Sequence, residues 1–250
     1  MRHGPFIFVG VLFALACSFA VMLLAPQLQL GALAPTNMVG EERLYPVARP
    51  GEAQQGAHVY RANGCNVCHS QQVRPQGYGT DFERGWGKRR SVARDYVLDE
   101  TAMLGSLRLG PDLANVGVRS PGKFAAPWKY ANVTNAVAEA TAWHLLHLYN
   151  PRIHATGSTM PAYSWLFEQR TLKPGQSPSA EALVIPAPFT PEKGTEIVPR
   201  QSAKALVAYL LSLHSEASLP EMEVRAPKPP AAAAGTNAAP AATNSPAPKK

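Results

Sequence analysis

The sequence predicts a mostly α protein: one N-terminal helix of membrane-spanning length, a small all-helical domain with long loop insertions, and a disordered C-terminal tail. Three observations predict it. Phe6 to Ala25 is a run of twenty residues without a charged side chain. Two helix-compatible stretches, Glu52 to Asn63 and Ser202 to Leu213, stand around and well after the motif Cys65-Asn66-Val67-Cys68-His69. At the end, 16 of the 25 residues from Ala226 to Lys250 are Ala or Pro, with no periodic apolar face to bury. These extremes also explain why only 16% of the 250 residues are charged and why there are 24 prolines, against roughly 25% charged residues in ordinary soluble domains. The expected division is an anchor at 1–25, a linker at 26–44, a domain at 45–219 and a tail at 220–250.

The anchor comes first. Twenty residues at about 1.5 Å each span ~30 Å, the hydrocarbon thickness of a bilayer. A signal peptide needs only about 7–15 apolar residues before a small-x-small cleavage site. Ala32-Leu33-Ala34 offers one, but seven residues past the end of an already longer run. Cleavage before Cys17, in Ala14-Leu15-Ala16-Cys17, leaves half of the run on the product. An uncleaved anchor is therefore expected. Arg2 and the α-amino group before it, against Arg43 well after it, tilt the amino terminus toward the cytoplasm.

In Glu52 to Asn63 the small or apolar residues Ala53, Gly56, Ala57 and Tyr60 recur at helical spacing, and Gly64 follows where the helix can close. Leu206, Tyr209, Leu210 and Leu213 form one apolar face of Ser202 to Leu213, which Ser202 is placed to start as an N-cap. Between Thr171 and Arg200, the prolines at 174, 178, 186, 188, 191 and 199 predict an irregular segment.

The motif carries the chemistry. Cys-x-x-Cys-His is the spacing for covalent attachment of haem c. Thiols of Cys65 and Cys68, one helical turn apart, can reach two vinyl groups along one haem edge, and His69 follows to face the iron. A thioredoxin-like pair gives His69 no role, and a zinc site needs a second ligand pair that the three cysteines do not supply. The second axial ligand must come from elsewhere. Met1, Met22, Met38 and Met222 fall outside the helical domain. Met160, in Gly157-Ser158-Thr159-Met160-Pro161, sits where Gly and Pro hold an extended loop, whereas Met103 reads as core packing. A second histidine, from His144, His147 or His154, is the remaining alternative. His/Met ligation fills both axial positions and suits electron transfer. In small cytochromes c a proline after the motif accepts the proximal imidazole's hydrogen bond through its carbonyl, and Pro111 of Gly110-Pro111-Asp112-Leu113 matches that place. The net charge of +7 has one cluster, Lys88, Arg89, Arg90 and Arg94. It lacks the interleaved aromatics and the motif of a nucleic-acid site, which leaves a solvated basic face or a dock for an acidic partner or for haem propionates.

Taken together, these residues resemble a known family. The apolar anchor, Tyr45-Pro46, Gly64-Cys65-Asn66-Val67-Cys68-His69-Ser70-Gln71, Val73-Arg74-Pro75, Trp86-Gly87-Lys88-Arg89, Gly110 to Gly117, Trp143-His144-Leu145-Leu146-His147-Leu148, Asn150-Pro151-Arg152 and Met160-Pro161-Ala162-Tyr163 follow in the order seen in subunit II of cbb3-type cytochrome c oxidases. That resemblance implies a single-pass protein of the bacterial inner membrane, amino terminus cytoplasmic, with a periplasmic monohaem cytochrome c domain. It implies one covalent haem c, with Cys65 and Cys68 as thioethers, His69 as proximal and Met160 as distal ligand. The implied partners are a polytopic haem–copper catalytic subunit and a further cytochrome c subunit of the same oxidase. This chain would relay electrons toward the site that reduces O2, with no catalytic residue of its own, in a complex that is a proton-translocating oxidase. His144, His147 and Arg152 fall in matching blocks without an assigned task.

The chain departs from the family in insertions at about 90–109 and 171–200 and in the Ala/Pro tail. The first insertion is expected to be a surface loop or a contact to another subunit. Two other function classes compete: an anchored cytochrome c serving a nitrite or nitric oxide reductase, and a haem enzyme or sensor with an open coordination position. The blocks after His69 favour the oxidase over the first, and Met160 argues against the second.

Overall fold

The computed structural model describes residues 3–119, 133–215 and 217–222. The tail from 223 onward lies outside them. The architecture is mostly helical, as the sequence predicts. It begins with one continuous helix, Gly4–Leu30, none of whose residues is buried. At 27 residues it is about 40 Å long, longer than the expected run because it continues through Pro26. A proline inside a helix lacks an N–H and crowds the carbonyl four residues back. Here α1 (Gly4–Phe19) passes into a π-helical turn, Ala20–Leu24, before α2 (Ala25–Leu30). The Ala25 N–H bonds the Ala20 carbonyl, five residues back, so the wider turn just before Pro26 absorbs the irregularity.

After α2 the chain forms a small antiparallel ladder of β1 (Thr36–Asn37) and β2 (Leu44–Tyr45). Then α3 (Gly51–Ala62) buries Ala53, Gly56 and Tyr60 against α6 (Gln201–Ser212), which buries Ala203, Leu206, Val207, Tyr209 and Leu210. The two helices cross in intimate contact. A Cβ on Gly56 would lie 1.9 Å from the Ala205 carbonyl oxygen, so only hydrogen is tolerated there. Beside this crossing the Tyr60 and Tyr209 rings pack at 5.4 Å. Helix α5 (Val133–Tyr149), which carries the Trp143-to-Leu148 block, packs on α6 and adds Leu145 and Leu148 to the same core.

Two details of α6 differ from the sequence reading. It starts at Gln201, and no side chain caps it. The preceding segment is held instead by sheet pairing: β3 (Phe167–Thr171) and β4 (Thr195–Pro199) form an antiparallel hairpin, and Arg200 N–H bonds the Leu166 carbonyl at 2.9 Å. The proline-rich segment is thus irregular only between the strands. Even there it folds back, with Leu183 N–H on the Ile197 carbonyl at 2.8 Å and Ile185 buried.

The insertion at 90–109 is not a free surface loop. Its later part lies along the Cys65–His69 segment, with Ser106 N–H on Asn66 O (3.0 Å), Leu107 N–H on Val67 O (3.1 Å) and Gln71 N–H on Leu104 O (3.3 Å). Apart from the exposed Lys88, the basic cluster is likewise not a solvated face. Arg89 and Asp95 form a paired-up ion pair with side chains only 4% exposed, at 2.6 Å and 2.8 Å. Arg90 donates to the Glu221 carbonyl, and Arg94 pairs with the Glu221 carboxylate. The sequence reading missed this because the neutralising acids come from another turn of the loop and from the far end of the chain.

A candidate haem-binding site

The motif owes its shape to Gly64. Helix α3 ends at Asn63, and Gly64 adopts φ +68°, a left-handed conformation that closes one helix and starts the next. The following turn, α4 (Cys65–Cys68), is a single helical turn with both thiols free. Cys65 is buried and Cys68 half-buried. The chain then turns extended at His69.

His69 is held by the loop 110–112. Its Nδ1 lies 2.8 Å from the Pro111 carbonyl oxygen; with Nδ1 as donor, Nε2 remains a ligand atom. Burial pushes the imidazole pKa down, against the opposing effect of the Pro111 hydrogen bond, so the ring is neutral as ligation requires. Gly110 forms the floor under the ring. Its φ is not positive, but a Cβ would stand 2.3 Å from His69 Cε1 and 2.6 Å from Nδ1. The loop is fixed in turn by Asp112, fully buried, whose carboxylate accepts from Ser70 Oγ and Gln72 N–H, both at 2.7 Å, and from Ala114 N–H at 2.9 Å. The segment just after the histidine is thereby tied to the loop that holds its ring.

Met160 is half-buried against the core that contains Cys65. Three residues on, the buried Tyr163 places its hydroxyl at the Cys65 sulfur, and its N–H bonds the Leu148 carbonyl at 2.9 Å. Burial, then the two nearby cysteines, push the Tyr163 pKa up to about 12, and burial pushes the Cys65 thiol up to about 11. The methionine loop is thus brought to the cysteine turn. Met103 is buried in the core and lines a small cavity with Tyr209, His58 and Arg61.

The histidines of the Trp143 block form an aromatic cluster. Trp143 stacks on His147 and on His154, each at 4.8 Å, and meets His144 edge-on at 5.0 Å. His144 is 5% exposed. Burial lowers its pKa to about 3 and that of His147 to about 4, so both are uncharged at neutral pH. His69 is close enough to contribute to the His147 shift.

One residue of interest had no signal in the sequence. Arg119 donates to the Asp112 carbonyl, while its Nε, shut off from solvent, has no hydrogen-bond partner among the described residues. Burial lowers its pKa to about 10. Residues 120–132, which follow it, contain no Asp or Glu. A shielded guanidinium short of an acceptor, beside a buried imidazole, is what an anionic cofactor edge requires.

The donor set fits a haem: two thiols on one turn, a neutral imidazole with a free Nε2 over a glycine floor, a thioether loop nearby and a cation for a propionate. Among the described residues no group of three or more His, Cys, Asp or Glu side chains is arranged to hold a separate metal ion.

No curated protein matches the chain significantly. A family model described as "Cytochrome C oxidase, mono-heme subunit/FixO" matches residues 2–202, in agreement with the resemblance to subunit II of cbb3-type oxidases. A match over most of the chain, with the Cys-x-x-Cys-His turn and a helix able to cross a membrane, places the protein in the FixO family of mono-haem cytochrome c oxidase subunits.

Proposed function

We propose that this chain is the electron-relay subunit of a cbb3-type oxidase, carrying one covalent haem c and passing electrons toward a polytopic haem–copper subunit that reduces O2. The observation that carries the reading is the Cys65–Cys68 turn followed by His69, with Nδ1 bonded to Pro111 and Nε2 left over. Bound haem iron supplies a one-electron couple. The residues of this chain do the rest. Cys65 and Cys68 would hold the haem through thioethers to its vinyl groups, and His69 and Met160 would offer a nitrogen and a sulfur to its iron. Pro111 and Gly110 orient the imidazole, the Pro111 bond raising its basicity. Arg119, whose buried Nε has no hydrogen-bond partner among the described residues, would meet a propionate. The Trp143, His144 and His147 cluster adds uncharged packing beside His69.

The anchor helix has its amino terminus on the cytoplasmic side, with the domain at 45–219 periplasmic, where haem c is attached. A further cytochrome c subunit of the same oxidase is its second partner. Two measurements test the reading. Detergent-solubilised membranes should yield the chain, intact at its amino terminus, in stoichiometric complex with a haem–copper subunit; co-purification with a nitrite or nitric oxide reductase instead would overturn it. Met160→Ala should leave haem attached but lower its potential and abolish the sulfur-to-iron absorption of the oxidised protein, and an unchanged spectrum refutes the distal assignment.

A further inference from the structure

Nineteen residues separate Ala25 from Tyr45, and a free strand of that length would reach ~65 Å. On such a tether a domain would sweep a wide volume above the bilayer. The structure leaves almost none of it free. Helix α2 runs to Leu30, Leu33 N–H returns to the Leu30 carbonyl at 3.0 Å, and the Ala34 carbonyl accepts from Arg94. Beyond that point Val39 N–H bonds the Ser218 carbonyl at 2.9 Å, and Met38 and Tyr45 are buried with Val92 and Leu219 in a core separate from that of the helices.

Polar contacts bind this second core from three directions. Arg94 holds Ala34 through one nitrogen and the Glu221 carboxylate through the others. Asp95 accepts from Arg89 twice, from Tyr45 Oη at 2.9 Å and from Val92 N–H at 2.9 Å. The Arg89 Nε reaches the Ala217 carbonyl at 2.6 Å. The chain leaving the helix, the loop at 89–96 and the segment after α6 are thus fastened at one place. The ion pair at its centre is shielded from water, so salt screens it little.

We propose that Arg89, Arg94 and Asp95 are positioning residues that lock the domain onto the anchor helix, so that the motif at 65–69 is held at one height and orientation over the bilayer instead of swinging on a linker. Only residues 31–33 stay outside the lock, a span of ~10 Å at full extension. A subunit built this way serves a partner fixed in the same membrane, not one reached by a search.

The test is a pulsed-EPR distance measurement on the full haem-loaded chain in phosphatidylcholine nanodiscs. Spin labels enter through p-acetylphenylalanine at Gln29, on α2, and at the exposed Gln55, on α3, which leaves every cysteine untouched. The pair Gln55 and Lys173 serves as the control within the domain. The intact protein should give one narrow Gln29–Gln55 distance, as narrow as the control. Six Gly/Ser residues inserted after Gly31 should broaden that distance at least twofold, and Arg94→Gln should broaden it while the control pair is unchanged. A distribution in the intact protein already as broad as in the insertion variant would overturn the proposal, whether or not Arg94→Gln folds. So would an Arg94→Gln protein that keeps both distances narrow.

Discussion

Adding a single methyl group at Gly110 probes the site more sharply than removing a ligand. In Gly110→Ala the new Cβ falls 2.3 Å from His69 Cε1, 2.6 Å from Nδ1 and 2.8 Å from Nε2. Because the backbone at Gly110 has no positive φ, the substitution costs nothing in conformation, and the whole effect is steric. Ordinary contact requires about 3.4 Å, so the ring must retreat by ~1.1 Å, far enough to take Nδ1 as much as ~3.9 Å from the Pro111 oxygen and out of hydrogen-bond range. Overpacking costs roughly 1–3 kcal/mol, and the orphaned donor and acceptor roughly 1–3 more. The expected loss is about 2–5 kcal/mol, out of ~5–15 for a whole domain. Guanidinium unfolding followed by tryptophan fluorescence measures it, with Gly157→Ala as control, since a Cβ at 157 meets nothing within 4 Å. With haem bound, loss of the Nδ1 bond makes the imidazole a poorer donor to the oxidised iron. The midpoint potential should therefore rise, by roughly 40 mV for each kcal/mol of differential stabilisation. A Gly110→Ala protein within ~0.5 kcal/mol of the parent, with an unchanged potential, would refute the account of the His69 cradle.

Four further outcomes are expected. Asp95→Ala leaves the Arg89 guanidinium buried without its anion and Tyr45 without its acceptor, and should cost about 3–5 kcal/mol by chemical denaturation. Gly56→Ala puts a methyl 1.9 Å from the Ala205 oxygen and forces α3 from α6; a loss of at least ~2 kcal/mol is expected in the same assay. Arg119→Gln should weaken haem retention and make the potential less sensitive to propionate protonation, read by titrating the midpoint against pH, while Arg152→Gln, exposed in the structure, should do neither. Burial works against ionisation of Asp81, but Arg74 and Arg108 outweigh it and hold its carboxyl below the ordinary value. The folded pKa being the lower, the unfolded chain takes up the proton first. Stability from this group is present above about pH 4 and is lost as pH falls through the folded-state value; Asp81→Asn should flatten that part of the pH–stability curve.

The parts of this protein legible in its sequence are those whose physics is local. Cys65, Cys68 and His69 are adjacent along one turn, so spacing alone implies their joint use. The apolar run is its own argument for a bilayer, and the α3 and α6 stretches declare themselves by period. Pro111 was legible only through likeness to small cytochromes c, and the structure puts its carbonyl at 2.8 Å from His69 Nδ1. Ser202, a good cap by type, does not cap, because the β3–β4 pairing sets where α6 begins. The π-helical turn is a response to Pro26, whose position the sequence shows but whose accommodation within one continuous helix only the structure reveals.

Contacts between distant segments decided the rest. Arg94 and Glu221 are 127 positions apart, and Arg89 and Ala217 are 128 apart. A run of basic residues reads the same whether its partners are water or buried acids, so charge along the chain could not reveal a lock between the linker, the 89–96 loop and the segment after α6. Arg119 shows the reverse case. Nothing in its neighbours distinguishes it from a surface arginine, and only the folded chain, by shutting Nε off from water with no acceptor among the described residues, marks it as a cation that an anion could meet. Helices, and one long and apolar enough to cross a membrane, follow from periodicity and length. Which charges are spent on holding the domain in place, and which are left for the haem, depends on desolvation, a property that exists only once the segments have packed.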